Sequence, residues 1–404
     1  MKNTDSQTPD SAFQLKLSLF YVMLFLSVGC YLPYFSLWLK DKGLTGDQTG
    51  VILAAPMIIR IIFTPIVSVW ADYEGNYRKI LIILGIGSLI SLLIMSQVNG
   101  FWALFILASL NAVFGSSLIP LTETLAVIGV KINQIRYGRA RSWGSAAFIL
   151  GSLSAGVLVD FYGAQSVLPF LIFTAVGIVC AAFYLPKPQG KGRLRAAVSG
   201  GKISWGGLAK LIRHPLFWLF LIGAGLGQAC HAFYYGFSSR LWQDIGYSGW
   251  LIGVLWTIGV LSEIILFVYL GDWLRRFNPV YLILAGAFAA LVRWVIMGLE
   301  PQLWMVFGLQ MLHAFSFGLA HLGAMYFIGK AVPDHLAATA QGLYATMSAG
   351  VFMGVAVLIS GPLYDAVAFQ GYFIMAAIAG LSVLVSLALA FVWDRELIIE
   401  KEVV

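Results

Sequence analysis

The chain has 404 residues, 60% of them hydrophobic and only 11% charged, where an ordinary soluble protein carries about 25% charged residues. That deficit excludes water as the solvent for most of the surface and leaves a bilayer. The net charge of +7 implies no nucleic-acid partner, because the basic residues sit in short segments between apolar stretches and build no patch.

In chain order, apolar stretches fall at 13–39, 46–71, 79–97, 101–128, 141–162 and 165–185, and after a polar interval at 215–243, 249–271, 278–299, 302–330, 336–364 and 369–393. A crossing helix needs about 20 apolar residues, and in lipid every backbone polar group needs a partner within its own segment, so each stretch reads as a helix. The expected fold class is an all-α membrane protein of 12 transmembrane helices in two six-helix bundles, residues 1–185 and 215–404, joined by a basic cytoplasmic linker at 186–214. The first stretch is too long for the core of a cleavable signal and lacks a small-residue cleavage site. Cys30, Cys180 and Cys230 all fall inside apolar stretches and read as small buried hydrophobes with no disulfide framework.

Lys and Arg set the orientation. With the N-terminus cytoplasmic, 20 of the 25 lie in cytoplasmic segments, Lys40, Lys42 and Arg240 lie on the opposite side, and Arg60 and Arg293 fall inside spans. Both termini are therefore expected in the cytoplasm. The linker alone carries seven basic residues and no acidic one, as befits a solvated loop over anionic headgroups.

The two halves share a signature. WLKDKGLTGDQTGVI (38–52) and LWQDIGYSGWLIGVL (241–255) align at an offset of 203, which pairs Asp41 with Asp244, Gly43 with Gly246, Gly46 with Gly249 and Gly50 with Gly253. Internal duplication with a solute site between the repeats near the midplane is a transporter architecture. Glycines at 46, 50, 115, 144, 151, 156, 225, 227, 350, 354 and 361 would let helices approach closely.

Charges within spans are costly and are functional candidates. Arg60, Glu123, Glu263 and Arg293 stand out, with Arg141 at the head of the fifth span. Glu123 and Arg141 sit on the fourth and fifth helices across one loop. They would bind a solute, a carboxylate for instance, or form a structural ion pair. Arg60 stands 203 residues before Glu263, so it would either pair with that residue or face a substrate carboxylate. His231, beside Tyr234, and His321 read as cavity liners or as hydrogen-bonded structural residues. The histidines show no metal-ligand spacing and no nucleophile–base set appears, so neither an enzyme nor a cofactor is expected.

Three runs, YLPYFSLWLKDKG (31–43), GVILAAPMIIRIIFTPIVSVWAD (50–72) and YGRARSWGSAAF (137–148), resemble the lactose permease branch of the major facilitator superfamily. PLTETLA (120–126), AFYYGFS (232–238), GVLSEIILF (259–267), VRWVIMG (292–298) and LHAFSFGLAHLGAMYFI (312–328) resemble more closely its 3-phenylpropionate permease group. The resemblance implies the major facilitator fold, alternating access, and substrate binding by Glu123 and Arg141. It puts Phe148 where the sugar permeases have a Trp platform, which suits an aromatic ring, although a core Phe fits equally. It assigns Arg293 and His313 to proton machinery. Ser316 stands where the permease's coupling carboxylate would be, and Val260 where its helix-eight carboxylate would be, one turn before Glu263. Glu263 is thus expected to carry the proton, with Arg293 modulating it and His313 and His321 relaying or binding; a static Glu–Arg pair is the alternative. Asp72, Gly75, Arg78 and Lys79, with Asp272, Arg275 and Arg276 in the second half, match the superfamily's conformational latch or simply follow the positive-inside pattern.

The expectation is a monomeric proton symporter of the bacterial inner membrane whose partners are the bilayer, a proton and a small solute, an aromatic carboxylate such as 3-phenylpropionate first. A sugar or nucleoside symporter and an efflux antiporter of the same fold are the alternatives.

Overall fold

The computed structural model describes residues 11–131, 136–186 and 205–398. Among these every regular element is helical. Ten apolar helical segments come first: α1 (Ala12–Asp41), α2 (Gly46–Glu74), α3 (Tyr77–Met95), α4 (Phe101–Val130), α5 (Tyr137–Tyr162), α6 (Ala164–Tyr184), α7 (Pro215–Asp244), α8 (Gly249–Leu274), α9 (Pro279–Gly298) and α10 (Leu303–Ala331). The final helical run, Asp334–Val392, has 59 residues, far more than one crossing needs. It breaks at Ala368, whose φ of 45° is left-handed, into α11 (334–367) and α12 (Gly371–Val392). The expected twelve segments are therefore present. Of the linker, 187–204 lie outside the described residues, and Trp205–Arg213 forms a short helix with Lys210 and Arg213 in its last turn.

Large apolar side chains stand exposed along the helices, Phe161 at 79% and Phe391 at 89%, as a lipid-facing surface requires and a soluble one avoids. Trp102 and Trp304 sit exposed in the first turns of α4 and α10, where interfacial aromatics anchor a span. Cys180 is exposed as well, which corrects the expectation of a buried thiol; facing lipid is as apolar a fate as burial.

Two compact units emerge. The first comprises Met1–Leu44, Ile59–Gly200 and Ser248–Gly253, and the second Thr45–Ile58, Gly201–Tyr247 and Val254–Val404. They depart from the simple halves 1–185 and 215–404 in one reciprocal way, since the first turns of α2 group with the second unit and the first turns of α8 with the first. Unit one is centred on Leu17, Phe20, Leu81, Leu84, Leu121 and Ile178. Unit two is centred on Phe220, Ile283, Phe327, Tyr344 and Leu389, with Phe220 stacked on Phe327 at 4.5 Å.

The reciprocal exchange has a hydrogen-bond basis. A helix start leaves four N–H donors without intrahelical partners. In α2, Thr45 and Gln48 form a reciprocal capping box at 3.3 Å, while the Asp365 carboxylate takes the N–H groups of Gly46 (2.9 Å) and Asp47 (3.1 Å). In α8, Ser248 accepts from Leu251 N at 3.2 Å, and Asp160 takes the N–H groups of Gly249 (2.5 Å) and Trp250 (2.8 Å). An anion at a helix N-terminus is favoured by the dipole as well as by the bonds. Close approach makes this reach possible. A Cβ at Gly156 would lie 2.4 Å from the Gly249 carbonyl oxygen, and one at Gly361 2.6 Å from that of Gly46. Gly115 was expected to serve the same purpose but has nothing within 4 Å. Because the obstacle at Gly156 is backbone and cannot swing aside, Gly156→Val should force the end of α5 off α8. A several-fold faster alkylation of Ser152→Cys, at a position fully buried in the crossing, is the expected readout, and an unchanged rate would contradict it.

The second half is wound irregularly. π-helical turns occupy Leu266–Leu270 in α8, Ala314–Leu319 in α10 and Thr346–Phe352 in α11, and α7 is interrupted at Cys230 and His231. Such turns gather at functional sites, and the freed backbone groups must find other partners in a membrane.

Candidate functional site

Each unit holds one polar cluster. In unit one, Arg141 Nε lies 3.3 Å from Glu123 Oε1, and Tyr137 donates its hydroxyl to Glu123 Oε2 at 2.8 Å. The guanidinium also lies 4.3 Å from the Phe25 ring centre, a cation–π distance. The sequence-predicted pair therefore meets. The ion pair engages Nε, so the outer edge of the guanidinium, its two terminal nitrogens, is not spent on Glu123. Both side chains are about one-third exposed. Phe148 is buried at 7% and its carbonyl crosses Gly29 so closely that a Cβ there would come within 2.3 Å. In this state Phe148 packs at the α1–α5 crossing.

In unit two, Arg293 is fully buried at the centre of a network. Its Nη2 donates to Gln310 Oε1 at 2.8 Å, and Nη1 faces His313 Nδ1 at 3.0 Å and Ser316 Oγ at 3.3 Å. Its plane stacks over Tyr234 and Trp294, 4.7 and 4.4 Å from the ring centres. No carboxylate of the described residues reaches ion-pair distance of this cation. Tyr234 donates to Gln310 Oε1 at 3.0 Å.

The donors decide the histidine tautomers. A guanidinium has no acceptor, so His313 Nδ1 must carry the lone pair, and the neutral ring holds its proton on Nε2. That nitrogen faces Glu263 Oε2 at 3.8 Å. His231 is the reverse. Its Nδ1 meets the Gln228 carbonyl at 3.2 Å and must donate, so Nε2 accepts from the Ser316 hydroxyl at 3.1 Å. The break in α7 places His231 here, and the ring in turn occupies a carbonyl at that break. Beyond His313 the rings of Phe317 and His321 continue as a stack, with centroids 5.2 and 6.1 Å apart and planes 12° and 6° off parallel.

The remaining predicted residues are placed as follows. Arg60 is exposed on α2 and makes no ion pair or hydrogen bond with described residues of its own unit. In the expected latch, Asp72 accepts from the Tyr77 hydroxyl, Arg78 donates to the Phe183 carbonyl and Lys79 binds Glu74 at 2.7 Å. Gly75 turns the chain at φ 63°. Asp72 and Arg78 are thus engaged elsewhere and not with each other. Asp272, Arg275 and Arg276 are all exposed near the end of α8.

Sequence reasoning passed over Gln310, a neutral residue that nonetheless joins Arg293 to Tyr234, and the capping acids Asp160 and Asp365. Their recurrence near the repeat offset was the available signal. Arg240, near the end of α7, is only 2% exposed, donating to Thr49 Oγ1 at 2.8 Å and stacked 4.6 Å from the Tyr364 ring.

Comparison with known proteins shows the family and the fold. Residues 14–375 match the MFS_1 like family. The probable 3-phenylpropionic acid transporter of Escherichia coli (strain K12) is 30% identical over 364 residues, covering 90% of this chain and 94% of that protein. The maltose permease of Geobacillus stearothermophilus is 26% identical over 379 residues, covering 92% and 93%. The crystal structure of the nucleoside transporter NupG superimposes with a TM-score of 0.79 at 16% identity, covering 95% of this chain and all of that one, a likeness of fold.

Proposed function

This chain belongs to the MFS_1 like family and is a multi-pass membrane transporter of the major facilitator type, not an enzyme; from that premise we propose that it imports a small aromatic carboxylate together with a proton. The observation that carries the substrate class is the outer edge of Arg141, which the ion pair with Glu123 does not use. It is held in place by Glu123, backed by Phe25, and shaped to take a carboxylate through two parallel hydrogen bonds. Arg60, an exposed cation within a span of the same unit, is a second anion contact. The E. coli relative, a probable 3-phenylpropionic acid transporter, supports the same class.

Coupling rests with Glu263, His313, His321 and Arg293. When Arg293 withdraws from Nδ1, His313 takes a proton there and, as an imidazolium, passes the one on Nε2 to the Glu263 carboxylate, returning to a neutral ring. A solute shifts the carrier between its states only through different affinity for each, and the proton supplies that difference. Asp72, Gly75, Arg78 and Lys79, with Asp272, Arg275 and Arg276, latch another state of the cycle after exchanging their present partners. The protein works in the bacterial inner membrane with both termini in the cytoplasm.

The test is uptake of labelled 3-phenylpropionate and of lactose into proteoliposomes under an imposed inward proton gradient. Accumulation of the aromatic acid, lost in Arg141→Ala, is expected; removing one charge-assisted bidentate contact costs about 2–3 kcal/mol, or roughly fiftyfold in affinity. Accumulation of lactose instead, or of neither compound by a well-folded protein, rejects the substrate class. Export driven by the same gradient rejects the direction.

A further inference from the structure

A cavity of about 530 Å³ opens beside the start of α5, lined by none of the residues used above. It is lined by Gln14, Ser18 and three apolar side chains of α1, and by Arg136, Arg139 and Trp143. We propose that it binds the headgroup of an anionic phospholipid, with its acyl chains laid along α1 and α5.

Charge is the first argument. The guanidiniums of Arg136 and Arg139 make no side-chain hydrogen bond or ion pair among the described residues, although Arg141 nearby is paired with Glu123. No acidic side chain among the described residues lines the cavity. Two uncommitted guanidiniums facing one cavity match the oxygens of a phosphodiester, and the planar fork suits phosphate better than a point charge would.

The second argument is which way the cavity faces. Trp143, Leu150 and Phe161 share one face of α5, two and then three turns apart, and are 55%, 61% and 79% exposed. A face so apolar along its whole length is the lipid face. On α1, Leu15 and Leu19 are exposed one turn apart. The cavity therefore opens toward acyl chains, with its charges at the end of the bundle where the basic residues gather and a Trp at the boundary, the level at which interfacial aromatics reside.

The third argument is that the pocket is built. The Gln14 side chain accepts from the Arg136 backbone N–H at 3.3 Å, and Ser18 donates to the Gln14 carbonyl at 2.8 Å. The first bond ties the start of α5 to α1 beside the cavity, and the second is internal to α1. A basic pocket between spanning helices is a recognised form of anionic-lipid site.

The experiment is native mass spectrometry of the full chain released from mild detergent, dosed with equal amounts of phosphatidylglycerol and phosphatidylcholine of identical acyl chains. Preferential retention of phosphatidylglycerol is expected, reduced about tenfold in the double variant R136Q/R139Q and unchanged in the control R275Q/R276Q. Leu19→Trp, which fills the cavity and leaves every charge in place, should lower retention as well, and it tests the site if the double variant folds poorly. Equal loss in the control, or full retention in both R136Q/R139Q and Leu19→Trp, overturns the proposal. So does displacement of the lipid by excess inorganic phosphate, which would mark a simple ion site.

Discussion

Glu263→Gln should abolish accumulation against a gradient while leaving downhill exchange of labelled for unlabelled solute within about twofold of the unsubstituted protein. Gln is nearly isosteric and keeps an oxygen for the His313 Nε2 proton, which lies 3.8 Å from the carboxylate, so the packing of α8 against α10 survives. It cannot accept and release a proton in the working pH range. A carrier held in the neutral form exchanges solute but cannot harvest the proton gradient, so uphill uptake falls to background, a loss of at least about a hundredfold for a group that transfers the coupling proton. Exchange and accumulation measured on one proteoliposome preparation separate the two. Full accumulation would remove Glu263 from the cycle.

Arg293→Met is expected to eliminate uptake without harming stability. A charge in oil costs several kcal/mol, and Arg293 is fully buried with no carboxylate of the described residues in contact. Met fills much of the same volume between Tyr234 and Trp294, whose ring centres lie 4.7 and 4.4 Å from the guanidinium. Gln310 Oε1 keeps its bond from Tyr234, and Ser316 keeps its bond to His231. Gln310 and Ser316 each lose one donor but keep another bond, and only His313 Nδ1 is left with no partner, at about 1–3 kcal/mol, offset by relief of the desolvation penalty; apolar replacements of buried charges are often neutral or stabilising. The melting temperature should therefore stay within a few degrees or rise, while transport disappears. A large fall in melting temperature with residual transport would assign Arg293 a structural role instead.

The parts of this protein that were legible in the sequence are those that composition controls. Twelve segments and their order follow from the number of apolar residues a bilayer demands. Glu123, Arg141, Glu263 and Arg293 were visible because a charge in a span is conspicuous, and the structure brings Glu123 to Arg141 and links Glu263 to Arg293 through His313. Gln310 was not visible, since a neutral amide in a span raises no such alarm. The π turns in α8, α10 and α11 were hidden for a different reason. Nearly every side chain around them is apolar, so hydrophobic periodicity has nothing to register a change of winding. Asp160 and Asp365 meant little until folding set each against a helix start far away in sequence.

The stacked rings on α10 carry a consequence for how this sequence can vary. His313, Phe317 and His321 form a nearly parallel column because the stretch Ala314–Leu319 between them is wound more loosely than an α-helix and spends extra residues on each turn. The column therefore depends on a count as well as on side chains. Many substitutions within the stretch would leave the rings in line, but losing a single residue would tighten the winding and rotate everything beyond it, turning His321 away from His313 with all three rings still present.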